Sequence, residues 1–135
     1  MRLDLPLAGD RVRLEERPGS IAIVRIGDGL NVGRVDLEED GDTLTVRVLC
    51  IDEPHRSYGC GSETGYLLVN GAAAAGYERL RAWAPPDRGL AVYFWFRMGL
   101  HPLHGEGPEG GIWLERHLRR PPVAPSDRRL ADPNR

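Results

Sequence analysis

The sequence predicts an α+β domain: a mixed central sheet of about six strands, an antiparallel meander at its N-terminal end, and two main helices. Three observations predict it. The first half of the chain alternates with the two-residue period of strands, broken by glycine-bearing turns. The second half shifts to helical spacing. Between them, Arg56-Ser57-Tyr58-Gly59-Cys60-Gly61 joins a β-like run to a proline-free helical run.

The strands follow in order. Arg11-Val12-Arg13-Leu14 alternates polar and apolar, and Pro18-Gly19 marks a turn after it. Ile21 to Ile26 is short and β-branched. Gly27-Asp28-Gly29 is a tight connection, so Asn31 to Leu37 returns as an antiparallel strand. Gly41-Asp42 closes another hairpin before the strand Thr43 to Ile51. Next, Gly65, Leu68, Ala72 and Ala75 give one small-residue face to a helix over 62–75, with Gly76 as its stop. Leu80, Ala82 and Ala84 alternate with Arg79, Arg81 and Trp83, as in a strand. A strand–helix–strand unit crosses over to a parallel neighbour, so 43–51 and 79–84 are expected to run parallel. Pro85-Pro86-Asp87 ends the strand and caps a second helix, whose inner face holds Ala91, Phe94, Trp95 and Met98 and whose stop is Gly99. A Gly-rich hairpin (Gly105, Gly107, Gly110, Gly111) leads to a last strand, Ile112 to Arg116.

The chain has 135 residues, which suits one domain with a core of its own. We place that domain at 1–118. Residues 119–135 form a tail with five arginines and four prolines against two aspartates, too polar to bury itself. All 18 of the Lys+Arg total are arginine, which reads as coding bias. A net charge of −2 excludes a globally basic nucleic-acid binder, while leaving nucleic-acid contact through the tail open. No apolar run approaches the roughly 20 residues of a membrane helix, and the N-terminus lacks a signal-peptide core, so a cytoplasmic protein is expected. Cys50 and Cys60 have no metal or disulfide spacing. Cys50 is expected as a small core residue, and Cys60 as packing rather than a nucleophile.

A glycine-bearing turn from strand into helix gathers backbone N–H groups, and the helix dipole adds about half a positive charge there. That makes a site for an anion such as phosphate or pyrophosphate. Gly59 and Gly61 permit close approach of the main chain, and Arg56 can add charge. The competing readings are an ordinary tight turn and a solvated arginine.

The strand–turn–helix order, with Arg56-x-x-Gly59-x-Gly61 at the turn, resembles the GNAT superfamily of acyl-CoA-dependent N-acyltransferases, whose signature there is Gln/Arg-x-x-Gly-x-Gly/Ala. Arg88-x-x-Ala91-x-x-Phe94-Trp95-x-x-x-Gly99-Leu100 resembles the family's second signature, Asn-x-x-Ala-x-x-Phe-Tyr-x-x-x-Gly-Phe. The likeness spans roughly residues 20 to 118. It implies acyl transfer, most simply of acetyl from acetyl-CoA, to an amine acceptor, small or macromolecular, without a metal. It also implies that Ser57, Tyr58, Gly59, Cys60, Gly61 and Ser62 bind the CoA pyrophosphate. The pantetheine arm would lie between the strands 43–51 and 79–84, with main-chain N–H groups around Leu49, Cys50 and Ile51 polarising the thioester.

The chain departs from the family in two places. Trp95 stands where many members carry a tyrosine acid, and Tyr93 is turned about 200° from it on a helix of 3.6 residues per turn. Only a few residues separate the strands 11–14 and 21–26, where the family has two helices. The acceptor side is then open, or completed by a second subunit in a homodimer. An aromatic run, Tyr93 to Phe96, with no polar face fits such a contact. Asp36 and Glu38, with Glu39, are weak candidate bases that a solvated strand end explains as well. Tyr93 is a further weak catalytic candidate. His101 and His104 could serve as a base or a metal pair, but without a carboxylate or thiol at ligand spacing they are expected as surface residues. The alternative to an enzyme is a non-catalytic CoA-binding or interaction module. A third reading is the same fold with no ligand.

Overall fold

The computed structural model describes residues 2–56, 59–86, 89–103 and 110–118. Strand β1 is Leu7–Ala8, β2 Val12–Arg17, β3 Ser20–Arg25, β4 Asn31–Asp40 and β5 Thr43–Ile51. Helix α1 spans Cys60–Ala75, β6 Arg79–Ala84, α2 Gly89–Arg97, β7 His101–Pro102 and β8 Ile112–His117. They form one eight-stranded sheet in the order β1-β2-β3-β4-β5-β6-β8-β7. Every pairing is antiparallel except β5 with β6, which is parallel as the crossover through α1 requires. The two strands beyond the expected six are β1 and β7, each two residues long and too short to show a period.

Local chemistry sets most boundaries. Gly19, Gly29 and Gly41 have φ of 78°, 72° and 61°, a left-handed conformation that makes the hairpin turns of the meander. Strand β2 runs on to Arg17 instead of ending at Leu14. Ion pairs Arg13–Glu15 and Arg17–Glu15 accommodate its charged end. Gly76 at φ 98° ends α1, its N–H reaching the carbonyls of Ala72 and Ala73.

Both helices cover one face of the sheet. Gly65 of α1 lets Phe94 and Met98 approach closely. A Cβ there would come within 2.7 Å of the Met98 Sδ. Leu14, Ile23, Val35, Val46, Leu68, Leu80 and Leu114 fill the space between, all essentially inaccessible. Among the described residues the opposite face carries no α-helix, since Pro18-Gly19 alone connects β2 to β3. Arginines and carboxylates occupy it instead. Arg34 pairs with Asp36, Arg47 with Glu38, Arg79 with Asp42, and Arg81 with Glu115 at 2.7 Å. Ala22 and Val24 are buried on this face, opposite Arg34 and Arg13, whose alkyl stems can cover them. Cys50 belongs here too, half-buried and in register with Arg34, so it is not the core residue expected from its apolar strand. Cys60 is buried in the core, as expected.

Candidate functional site

Strands β5 and β6 stay together only briefly. Their register pairs Thr43 with Arg79 through Val46 with Ala82, and then stops. On the other side of β5, Asp36 is opposite Val48 and Leu37 opposite Val46, leaving Arg47 as an unpaired extra residue. Such a bulge bends and twists the strand that carries it. From Arg47 to Ile51, β5 therefore remains tied to β4 but has no partner on β6. On that side the β5 ladder is left open, forming the strand gap. This is where the sequence reading placed Leu49, Cys50 and Ile51.

The gap leads to the start of α1. Gly61 sits over Ile51, where a Cβ would make an ordinary 3.6 Å contact with the Ile51 Cγ1. Gly59 is the N-cap at φ 86°, and no side chain caps the helix. A non-glycine residue would be strained at that φ. Gly59 is exposed, while Gly61 and Ser62 are half-buried. The first turn of a helix leaves N–H groups without helical acceptors, and here no side chain of the cap supplies one. Arg56 closes the turn from the strand side, its Nε donating to the Ile51 carbonyl at 2.8 Å. Ser57 and Tyr58 lie outside the described residues, as do Asp87, Arg88, His104 and the tail.

Two residues that sequence reasoning missed also build this corner. The Glu63 carboxylate, in the first turn of α1, accepts the N–H groups of Asp10, Arg11 and Val12 at 3.1, 2.6 and 2.7 Å. It thereby fastens the β1–β2 loop to the helix. Arg11 in that loop extends its side chain over Gly59, where a Cβ would lie 2.9 Å from the Arg11 Nε. No local pattern links positions so far apart in the chain. The glycine at Gly9 is the one hint, since a Cβ there would strike the Glu63 carboxyl at 2.6 Å.

The weak catalytic candidates separate clearly. Trp95 is 4% exposed and belongs to the core, edge-on to Phe94. Tyr93 is 60% exposed, on the outer side of α2 beneath the Arg97 guanidinium. Glu38 is exposed and pairs loosely with Arg47. Asp36 differs from both: it lies opposite the strand residue that follows the bulge, and its Oδ1 is enclosed without a hydrogen-bond partner among the described residues. Arg47 and Arg81 both approach the Trp113 ring, each 5.9 Å from its centroid, on the helix-free face. Trp83 pairs across from Trp113 there. His101 stacks edge-on against Phe96 at the surface. No cluster of metal-ligating side chains occurs among the described residues, and none of their helices is long and apolar enough to cross a membrane. A cavity of about 500 Å³, lined by Tyr66, Arg97, Met98 and His101, includes neither the strand gap nor the start of α1.

No family model and no curated protein matches the sequence. Solved structures do match the fold. A candidate ribosomal-protein-serine acetyltransferase from Vibrio cholerae superposes with a TM-score of 0.73 at 12% identity, covering 87% of this chain and 99% of that one. An acetyltransferase from Bacillus subtilis in complex with CoA gives 0.66 at 11% identity, covering 81% and 99%. A candidate acyl-CoA N-acyltransferase from Klebsiella pneumoniae gives 0.64 at 18% identity, covering 81% and 74%. A sheet shared with these structures, with one parallel pair, β5–β6, joined through α1, is the fold of the GNAT acyl-CoA N-acyltransferases, here without a helix pair between its first two long strands.

Proposed function

We propose that the protein is an acyl-CoA-dependent N-acyltransferase, most simply an N-acetyltransferase, acting by direct transfer. The observation that carries this reading is the separation of β5 from β6 beyond Val46 and Ala82, beside an exposed helix start at Gly59 without a side-chain cap. The diphosphate of CoA occupies the turn at 57–62, and the pantetheine arm enters the gap. A β5 main-chain N–H between Arg47 and Ile51 donates to the thioester oxygen as charge develops on it.

The neutral amine attacks the thioester carbon, forming the C–N bond. The C–S bond then breaks, and the sulfur leaves with its electron pair. Asp36, on β4 opposite Val48 beside the bulge, is the carboxylate assigned to take the proton lost by the amine, directly or through one water. Trp95 cannot protonate the departing sulfur, because indole is a donor that does not give up its proton and this one is in the core. Solvent does so, which is chemically reasonable for a thiolate whose parent thiol has a pKa near about 8.5. The helix-free face leaves the acceptor side open, which suits a macromolecular amine or a site completed by a second copy.

Acetyl-CoA should raise the melting temperature. A ligand at about a hundred times its Kd adds about 2.7 kcal/mol of stability. Gly61→Glu should fold normally, since its Cβ meets only Ile51 at 3.6 Å, yet lose the ligand response by putting a negative charge into the anion site. No shift in the parent protein would refute the reading. Thiol release on a panel of amines, peptides and proteins then distinguishes an enzyme from a CoA-binding module: binding without release would favour the module, for which the buried Trp95 speaks.

A further inference from the structure

We propose that Arg11 binds the diphosphate of the acyl-CoA, and that Glu63 is the residue that positions it there; this rests on the CoA reading above. Both sides of the Arg11 backbone are pinned. Its N–H donates to the Glu63 Oε1 at 2.6 Å, and its carbonyl accepts the Ile26 N–H at 2.8 Å. The side chain, by contrast, is exposed and makes no ion pair with any carboxylate of the described residues. It nonetheless lies over Gly59, at the positive end of a 16-residue helix.

That is a poor resting place for a lone cation. A guanidinium is disfavoured at a helix N-terminus, where the dipole attracts anions and repels positive charge. Glu63, whose carboxylate holds the Arg11 main chain, already accepts three main-chain N–H groups and so holds the loop rather than the guanidinium. An anion at the turn resolves the conflict. It would accept from the helix N–H groups below and from the planar Arg11 fork above, a geometry that suits phosphate oxygens. The arrangement also gives Gly59 a second role. A side chain there would displace Arg11 as well as strain the backbone.

The arginine comes from the β1–β2 loop, not from the turn itself. Glu63 acts at a distance, through the loop, and touches no ligand. The two should therefore be coupled: once Arg11 is gone, removing the Glu63 carboxylate should cost little more binding.

The test is calorimetric titration of the full chain with acetyl-CoA, dephospho-CoA and S-acetylpantetheine. Variants are Arg11→Gln, Arg11→Lys, Glu63→Gln and the double variant Arg11→Gln/Glu63→Gln. Arg11→Gln should weaken acetyl-CoA and dephospho-CoA by about tenfold, equivalent to about 1.4 kcal/mol. S-acetylpantetheine, which lacks phosphate, should bind every variant as it binds the parent. Arg11→Lys should recover part of the loss, and the double variant should be no weaker than Arg11→Gln. Ligand-free melting curves check that Arg11→Gln, an exposed substitution, folds. If the parent binds acetyl-CoA and Arg11→Gln binds it equally well, this inference is wrong while the CoA reading survives. A loss confined to acetyl-CoA, with dephospho-CoA unaffected, would move Arg11 to the 3′-phosphate and overturn its assignment to the diphosphate. A parent that binds neither nucleotide overturns both.

Discussion

The two faces of the sheet solve the same problem in different ways. Under α1 and α2, β-branched and leucine side chains pack into a continuous apolar core around Leu68, Leu80 and Leu114. On the other face, the strands present arginines and carboxylates in register. The register row Glu38, Thr45, Arg81, Glu115 crosses four strands, with an ion pair at Arg81–Glu115. The first face excludes water; the second face tolerates it. The difference teaches that a sheet with helices on one face need not leave an unfinished core on the other. The helix-free face instead carries charged side chains in paired register, at home in water.

The comparison predicts unequal costs. Leu68→Ala, at a position with no exposure beneath α1, should lower unfolding free energy by about 2–5 kcal/mol in urea titration. Gly65→Val should cost about 1–3 kcal/mol, because its Cβ must displace Met98 and Phe94 where the helices touch. Glu115→Gln should cost less than either, about 1 kcal/mol, since its pair with Arg81 is half-shielded and others are exposed. Arg34→Gln, on a more exposed pair, should change stability by no more than about 0.5 kcal/mol. Should the charged-face variants match Leu68→Ala in cost, that face is covered in solution. A second copy of the chain would then be the first suspect, and sedimentation would detect it.

Local chemistry was legible in the sequence; register was not. The glycines that stop α1 and turn the meander act on their own backbone, so Gly76 and Gly41 announce themselves. The small-residue face of α1 is likewise a spacing within one helix. The gap between β5 and β6 depends on a bulge at Arg47, which only pairing with β4 creates. The family resemblance supplied the gap, and no pattern in residues 43–51 did. The Glu63 latch joins residues about fifty positions apart, and its hydrogen bonds go to main-chain groups that carry no sequence signal. The burial tendency of free cysteine likewise says nothing of which face Cys50 takes. The bulge puts Arg47 and Val48 on the same side of β5, so an unbroken alternation assigns the residues after it to the wrong faces.

The smallest predicted effect lies in the turn between β3 and β4. Arg25 donates to both oxygens of Asp28, at 3.0 and 2.7 Å, and the Leu30 N–H adds a third bond. Chiefly through the Arg25 contact, the Asp28 carboxyl is held down at about 2. A depressed carboxylate stabilises the fold in its ionised form. That contribution is complete above the unfolded value near about 3.9 and disappears as pH falls through about 2. Asp28→Asn removes it while keeping an acceptor for Leu30. Melting temperatures of parent and variant should differ most at pH 6 and converge between pH 4 and pH 2. Glu15, whose carboxyl Arg17 and Arg13 also lower, titrates in both proteins and cancels in the difference. A gap that stays constant down to pH 2 would mean that the variant acts through turn geometry rather than through charge. The ion pairs of the open face would then have to be judged the same way, one by one.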